Sequence, residues 1–146
     1  MKPVFVRCWQ FLGLLGLILL SLPVTAQPLY KPLPFTLNSQ IDDTLTDKDI
    51  PTGEGGFARD YLVQLQQGDQ VAVDLVSDNF DAIVQLLAAD GSTIAENDDG
   101  PDGSTNALLF ARITETGKYI VRVRAFGETG GGKFTLKVTR LREAPN

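Results

Sequence analysis

The chain has 146 residues, of which 13 are lysine or arginine and 18 are aspartate or glutamate, and its formal net charge is −5. It contains no histidine, which excludes Ser-His and Cys-His nucleophilic catalysis and histidine-ligated zinc sites. The acidic excess disfavours a nucleic-acid partner, because the phosphate backbone attracts basic proteins.

Residues 1–26 are predicted to form a cleavable signal peptide. Lys2 and Arg7 precede a nearly continuous apolar run over 11–22, and 24–26 places small residues where a signal peptidase reads them. The run is short for a bilayer span, which needs about 20 apolar residues, so cleavage is favoured over a retained anchor. The mature chain is therefore expected to be secreted or periplasmic, without membrane contact, and it has the length of one domain.

Residues 27–39 are predicted to form an extended lead-in without regular structure, because 27–34 contain three prolines in eight positions. From residue 60 onward, apolar residues recur at every second position, which is the period of a half-buried β-strand. The strand candidates lie at 60–66, 70–77, 80–88, 106–113, 118–126 and 133–141. An Asp90-Gly91 turn is predicted to lead from the third of these into another short strand.

Two pairs of consecutive strands have the spacing of β-hairpins. The turn Gln67-Gly68-Asp69 separates the first pair, and the last pair spans 118–140. No segment after the lead-in shows a sustained helical period, and turns recur about every eight to twelve residues. The sequence therefore predicts an all-β fold, namely an antiparallel, jelly-roll-like β-sandwich of about eight strands over 40–141, with a short tail at 142–146.

The last two strands show clear alternation. Tyr119 begins a series of apolar residues that alternate with arginines, and Phe134 begins the same pattern in the final strand. Both aromatic residues are predicted to face the core, so truncating either to alanine should cost about 3–5 kcal/mol. Ile120 and Phe126 have the opposite phase and are predicted to face outward.

Several short motifs follow one another in a set order. They are Phe80-Asp81 at the start of a strand, the turn 97–100, Gly117 and Tyr119 before an alternating valine strand, and Phe134 in the closing strand. In this order they resemble the bacterial pre-peptidase C-terminal domain, a β-sandwich module found behind secreted proteases and also alone in some exported proteins. The resemblance covers 40–140 and implies a stand-alone, non-catalytic member. Some members bind calcium, extracellular matrix or insoluble substrates.

The acidic stretch 95–106 is the first candidate metal site. Asn97, Asp98, Asp99 and Asp102 offer the carboxylate and amide oxygens that calcium prefers. Their spacing does not fit an EF-hand, since Leu109 stands where the twelfth-position ligand is required. The alternative, which we favour, is a structural turn in which these short side chains bond to nearby backbone groups.

The resemblance implies a competing calcium position. In the collagenase members, calcium lies between an acidic segment before the domain and a hairpin whose second strand opens with Asp-Tyr. Asp47, Asp49 and Asp60 correspond to the second half of that arrangement, but residues 27–41 contain no acidic residue. Several ligands of such a site are therefore missing.

A basic patch is predicted if the last two strands pair with each other. Arg122 and Arg124 on one strand would then join Lys133 and Lys137 on the other as a partner-binding surface for an anionic glycan or an acidic protein segment. The alternative, which we favour, is a solvated sheet face whose charges prevent edge-to-edge aggregation.

Together these features predict a secreted, non-catalytic binding or accessory module with a protein or polysaccharide partner and with calcium as its candidate cofactor. One alternative is a folding helper for an exported protease. Another is a small hydrolase that uses a pair of carboxylates, although nothing in the sequence marks a substrate cleft.

Overall fold

The computed structural model describes residues 30–127 and 130–142. The predicted signal peptide and residues 143–146 of the tail lie outside the described residues. The strands are β1 (Leu33–Pro34), β2 (Ser39–Leu45), β3 (Ile50–Pro51), β4 (Phe57–Leu65), β5 (Gln70–Val76), β6 (Ala82–Leu87), β7 (Thr93–Asn97), β8 (Ala107–Arg112), β9 (Gly117–Ala125) and β10 (Gly132–Arg142). Within the described ranges there is no helix with the length and hydrophobicity needed to span a bilayer.

The strands form two sheets. Sheet A has the order β1-β4-β9-β6-β7, with β3 paired to the same strand as β1, and sheet B has the order β2-β10-β5-β8. All pairs are antiparallel except β1 with β4. The predicted all-β sandwich is confirmed, and eight of the described strands are five residues or longer.

The core lies between the two sheets and follows the predicted alternation. Tyr119 is 6% exposed and Phe134 is 3% exposed, so both face the core as predicted. Phe35, Tyr61, Phe134 and Phe80 form a chain of edge-to-face ring contacts with centroid distances of 6.0, 6.4 and 6.2 Å. Such contacts add to the burial of the rings and fix the separation of the sheets.

One predicted outward residue is buried. Phe126 is exposed as predicted, but Ile120 is only 9% exposed. Ile120 lies on the outer face of sheet A, where its neighbours across the strands are Leu62 and Leu87. These apolar side chains form a row and shield one another from solvent, so the strand phase was correct and the expected exposure was wrong.

Both predicted hairpin pairings are wrong. The turn at 67–69 connects β4 in sheet A to β5 in sheet B, and β9 and β10 also lie in different sheets. The N–H of Gly68 donates to the carbonyl of Ile113 at 2.8 Å, and the N–H of Ile113 donates to the carbonyl of Asp69 at 2.9 Å. The first turn is thus held by the β8–β9 connection, which directs the chain across the sandwich. The Asp90-Gly91 turn does join two paired strands, β6 and β7.

The lead-in is more regular than predicted. Leu33 and Pro34 pair in parallel with Tyr61 and Leu62 of β4, and the N–H of Phe35 donates to the carbonyl of Leu62 at 2.8 Å. Proline is tolerated here because β1 is an edge strand. The lead-in therefore covers one edge of sheet A, and the part of it that is described is extended.

Candidate functional site

The loop between β7 and β8 holds the first set of predicted metal ligands. The side-chain amide of Asn97 donates to the carbonyls of Asp99 and Leu108 at 2.9 and 2.8 Å. Its oxygen accepts the N–H groups of Asp98 and Asp99 at 3.0 and 3.3 Å. Asn97 therefore satisfies backbone groups of the turn, as the structural alternative predicts.

Asp102 also forms hydrogen bonds within its own turn. Its carboxylate accepts the hydroxyl of Ser104 at 2.7 Å and the N–H of Ser104 at 3.1 Å. These two hydrogen bonds, first the hydroxyl and then the backbone, lower the pKa of Asp102 below its ordinary value. Asp98, Asp99 and Asp102 are all exposed, whereas Asn97 is half-buried.

The competing set, Asp47, Asp49 and Asp60, does not come together as a site. Asp60 is 3% exposed, and its two oxygens accept the Nε and Nη2 groups of Arg122 at 2.7 and 2.8 Å. The hydroxyl of Tyr30 in the lead-in also donates to Asp60. Asp47 is exposed. Among the residues that the structure describes, no three carboxylates form a group that could hold a metal ion.

Asp49 belongs instead to a cluster around Arg59. The guanidinium contacts Asp49 through Nε at 2.8 Å and Asp43 through Nη1 at 2.6 Å. The hydroxyl of Tyr61 donates to the other oxygen of Asp43 at 2.7 Å. Partial burial would raise the pKa of Asp43, but the hydrogen bonds from Tyr61 and Arg59 outweigh it and lower the pKa below its ordinary value. Asp43 is therefore a carboxylate at neutral pH and cannot act as a proton donor.

A groove of about 540 Å³ opens beside this cluster, where β2, β10 and the β5–β6 loop meet. It is lined by 42–44, 76–79 and 133–135. Thr135 of β10 lies between Asp42 of β2 and Val76 of β5 on the surface of the groove. The hydroxyl of Thr135 donates to Asp42 at 2.6 Å. Val76 is 39% exposed, so the floor offers both a polar and an apolar surface.

The wall of the groove is held by a buried serine. Ser77 is 3% exposed, and its hydroxyl donates to the carbonyl of Lys133 at 2.9 Å while accepting the N–H of Asn79 at 3.1 Å. The side-chain oxygen of Asn79 accepts the N–H of Lys133 at 2.9 Å. These bonds fix the loop to the first residues of β10, so the groove is preformed.

Comparison with known proteins shows which family and which fold the chain resembles. Residues 58–125 match the sequence model of the bacterial pre-peptidase C-terminal domain. The matched segment runs from β4 to β9, so this part of the chain is similar in sequence to that domain. No curated protein shows a significant sequence match to the chain.

Three solved structures share the fold of this chain. The pre-peptidase C-terminal domain of a collagenase from Bacillus anthracis superposes with a TM-score of 0.57 at 14% identity, over 77% of this chain and 97% of that chain. PliG from Aeromonas hydrophila, a periplasmic inhibitor of g-type lysozyme, gives a TM-score of 0.51 at 15% identity, over 73% and 95% of the two chains. PliG from Salmonella Typhimurium gives 0.50 at 14% identity, over 75% and 97%. At these identities the likeness shows a shared fold.

The structure separates the four basic residues of the predicted patch. Arg122 and Arg124 lie in sheet A, where Arg122 is paired with Asp60 and Arg124 lies 3.3 Å from Glu54. Lys133 and Lys137 lie in sheet B. Because β9 and β10 do not pair, the four side chains do not form one surface. Lys133 alone lines the groove.

Apart from Phe134, which was predicted as a core residue, the sequence analysis marked none of the other groove residues. Asp42 and Asp78 lie in segments without a recognisable motif, and Asn79 only precedes the Phe80-Asp81 pair. The groove arises because β2 pairs with β10, strands far apart in the chain. Only that register brings Asp42 beside Thr135.

Proposed function

We propose that this chain is an exported, non-catalytic binding module that takes a protein partner at the groove between β2, β10 and the β5–β6 loop. The pre-peptidase C-terminal family consists of accessory modules of secreted proteins, and the two lysozyme inhibitors with this fold are periplasmic. Both comparisons support a binding or inhibitory role and a location outside the cytoplasm.

The composition of the groove is the observation that carries this proposal. Asp42, Asp78 and Lys133 present charged groups around Val76, so the surface combines a small apolar centre with a polar rim, as protein interfaces do. Phe134 lines the groove but is 3% exposed, so no open aromatic face is offered for stacking against a sugar ring. A protein segment therefore fits the groove better than a polysaccharide.

The same groups argue against a hydrolase. Hydrolysis of a glycoside by two carboxyl groups requires one of them to be protonated. Asp43 is held ionised by its hydrogen bonds from Tyr61 and Arg59, so it does not supply this proton. The role of folding helper for an exported protease remains a prediction from the sequence.

The test is capture of partners from the exported proteins of a bacterium that produces this chain. Wild-type protein is compared with Val76→Arg/Asp78→Arg, which fills the groove and reverses one charge, and with Gln64→Arg on the outer face of sheet A. We expect the groove variant to lose a protein that wild type and Gln64→Arg both retain. For the purified partner, the dissociation constant should rise about tenfold or more, which corresponds to about 1.4 kcal/mol. Equal binding by all three proteins would place the interface elsewhere.

A further inference from the structure

Arg59 bridges two carboxylates that belong to different parts of the chain. Asp43 lies in β2 and Asp49 lies in the turn before β3, and both contact the one guanidinium, at 2.6 and 2.8 Å. A second contact joins Nη2 of Arg59 to Asp49 at 3.2 Å. A calcium ion between these elements would perform the same task, because it too is bound by carboxylates from separate segments. Here the cation is part of the protein.

Arg122 helps to attach the lead-in to sheet A, because it pairs with Asp60, to which Tyr30 of the lead-in is bonded. The Asp60 side chain is 1% exposed, and a buried carboxylate without a counter-charge is strongly unfavourable. Arg122 supplies that charge through two parallel hydrogen bonds, the geometry that makes arginine–carboxylate pairs strong. The hydroxyl of Tyr30 adds a third donor and ties the lead-in to sheet A. The carboxylate is therefore already neutralised and hydrogen-bonded.

The other candidate ligands do not form a calcium site either. Calcium takes six to eight oxygen ligands. In the β7–β8 loop, the side-chain nitrogen and oxygen of Asn97 both bond to backbone groups. The carboxylate of Asp102 accepts a hydrogen bond from the hydroxyl of Ser104. Only the adjacent carboxylates of Asp98 and Asp99 have no hydrogen bond from the described residues. Two neighbouring side chains do not supply the required number of ligands.

We propose that internal guanidinium groups replace calcium in this domain, so that its folded state does not depend on the ion. Arg59 holds the turn at 46–49 against β2 and β4, and Arg122 holds the lead-in against sheet A. Asp43 also borders the groove, but this inference concerns what stabilises the fold, and it is tested by thermal unfolding and not by partner binding. It can therefore fail while the groove still binds a partner, and the reverse is also true.

Thermal unfolding of the wild-type protein, with its signal peptide removed, tests the proposal directly. The midpoint is measured in millimolar calcium chloride and in the presence of a chelator. We expect the two midpoints to coincide. A site that calcium saturates about 100-fold would raise the midpoint by several degrees, and such a shift would overturn the proposal.

Variants of Arg59 provide the second test. Arg59→Gln leaves Asp43 and Asp49 facing each other without their cation, so it should unfold at a lower temperature than wild type. The double variant Arg59→Gln/Asp49→Asn, which removes the repulsion between the two carboxylates, should recover part of the loss. Arg112→Gln, an exposed arginine without an ion pair to the described residues, is the control and should behave as wild type. If Arg59→Gln is as stable as wild type, or if the double variant is no more stable than Arg59→Gln, the guanidinium does not act as the counter-ion of these carboxylates.

Discussion

The hydroxyl of Tyr61 donates to Asp43 at 2.7 Å and thereby joins β4 of sheet A to β2 of sheet B. The ring of Tyr61 lies in the core between Phe35 and Phe134, while the hydroxyl reaches the edge of the sandwich. A buried tyrosine hydroxyl needs a hydrogen-bond partner, and here the partner is ionised, which makes the bond stronger than one between neutral groups.

Removing this hydroxyl should therefore lower the free energy of unfolding. Tyr61→Phe keeps both ring contacts and loses only the hydrogen bond to a charged group, which is worth about 1.5–3 kcal/mol. Tyr119→Phe is the matched control, since the hydroxyl of Tyr119 donates to the neutral carbonyl of Glu115 at 2.7 Å and its loss should cost about 0.5–1.5 kcal/mol. Urea unfolding measures both. Equal losses would show that the charge on Asp43 adds nothing.

Asp43 should also make the protein sensitive to acid. Hydrogen bonds from Tyr61 and Arg59 lower its pKa below the ordinary value of 3.8 in the folded state. A carboxyl group with a depressed pKa stabilises the fold at pH values above its unfolded pKa, and this contribution is lost as the pH falls through the folded pKa. The free energy of unfolding should decrease below about pH 4. Asp43→Asn, which does not titrate, should show a shallower decrease, and an unchanged slope would contradict the assignment.

Tyr30 should make the stability of the protein sensitive to high pH. Burial, and next the hydrogen bond to Asp60, raise the pKa of Tyr30 from 10.0 to about 12. A group with a raised folded pKa stabilises the fold below its unfolded pKa, and the contribution is lost as the pH rises through the folded value. The free energy of unfolding should therefore fall as the pH rises above about 10, and Tyr30→Phe should reduce that fall. If the variant and wild type lose stability in parallel, the lead-in is not held by this hydroxyl.

The alternation of the sequence was sufficient to predict the core-facing residues of β4, β5, β9 and β10. Tyr61, Val63 and Leu65 are all 1% exposed or less, as the two-residue period requires. The same alternation could not predict the pairing of the strands. Leu65 and Val71 face the core whether β4 and β5 pair or lie on opposite sheets. In the structure, the turn between the two strands is bonded to Ile113, which is far from Gly68 in the sequence.

In the candidate site, too, the sequence predicted part of the arrangement and left part of it unknown. The residue types that carry charge were visible in the sequence, but their partners were not. Arg59 and Asp60 are adjacent, yet they point to opposite faces of β4, so each finds its partner on a different element. Arg59 reaches Asp43 and Asp49, and Asp60 reaches Arg122. A metal site predicted from acidic residues alone therefore missed the cations that neutralise them.

Burial explains why two phenylalanines of sheet B should respond differently to truncation. Phe134 is 3% exposed and contacts the rings of Tyr61 and Phe80, so Phe134→Ala should cost about 3–5 kcal/mol. Phe110 in β8 is 64% exposed, and Phe110→Ala should change the stability by about 0.5 kcal/mol or less. Unfolding in urea compares the two. Similar losses would mean that the outer face of sheet B is covered in solution.

Gly131 allows the chain to pass β2 at close range. A Cβ atom at this position would lie 2.3 Å from the carbonyl oxygen of Leu45, and because that oxygen belongs to the backbone of β2 it cannot move away easily. Gly131→Ala should therefore destabilise the protein by about 1–3 kcal/mol, the usual effect of overpacking. Gly117→Ala is the control, since a Cβ there meets nothing within 4 Å, and its effect should stay within about 0.5 kcal/mol.

The same substitution should affect the groove as well as the stability. Gly131 lies two positions before Lys133, so pushing the chain away from Leu45 should shift Lys133 and weaken its bond to the side chain of Asn79, which is 2.9 Å long. We therefore expect Gly131→Ala to weaken partner binding under conditions in which the variant is still folded, whereas Gly117→Ala should bind as wild type. A folded Gly131→Ala protein with full affinity would show that the start of β10 does not shape the binding surface.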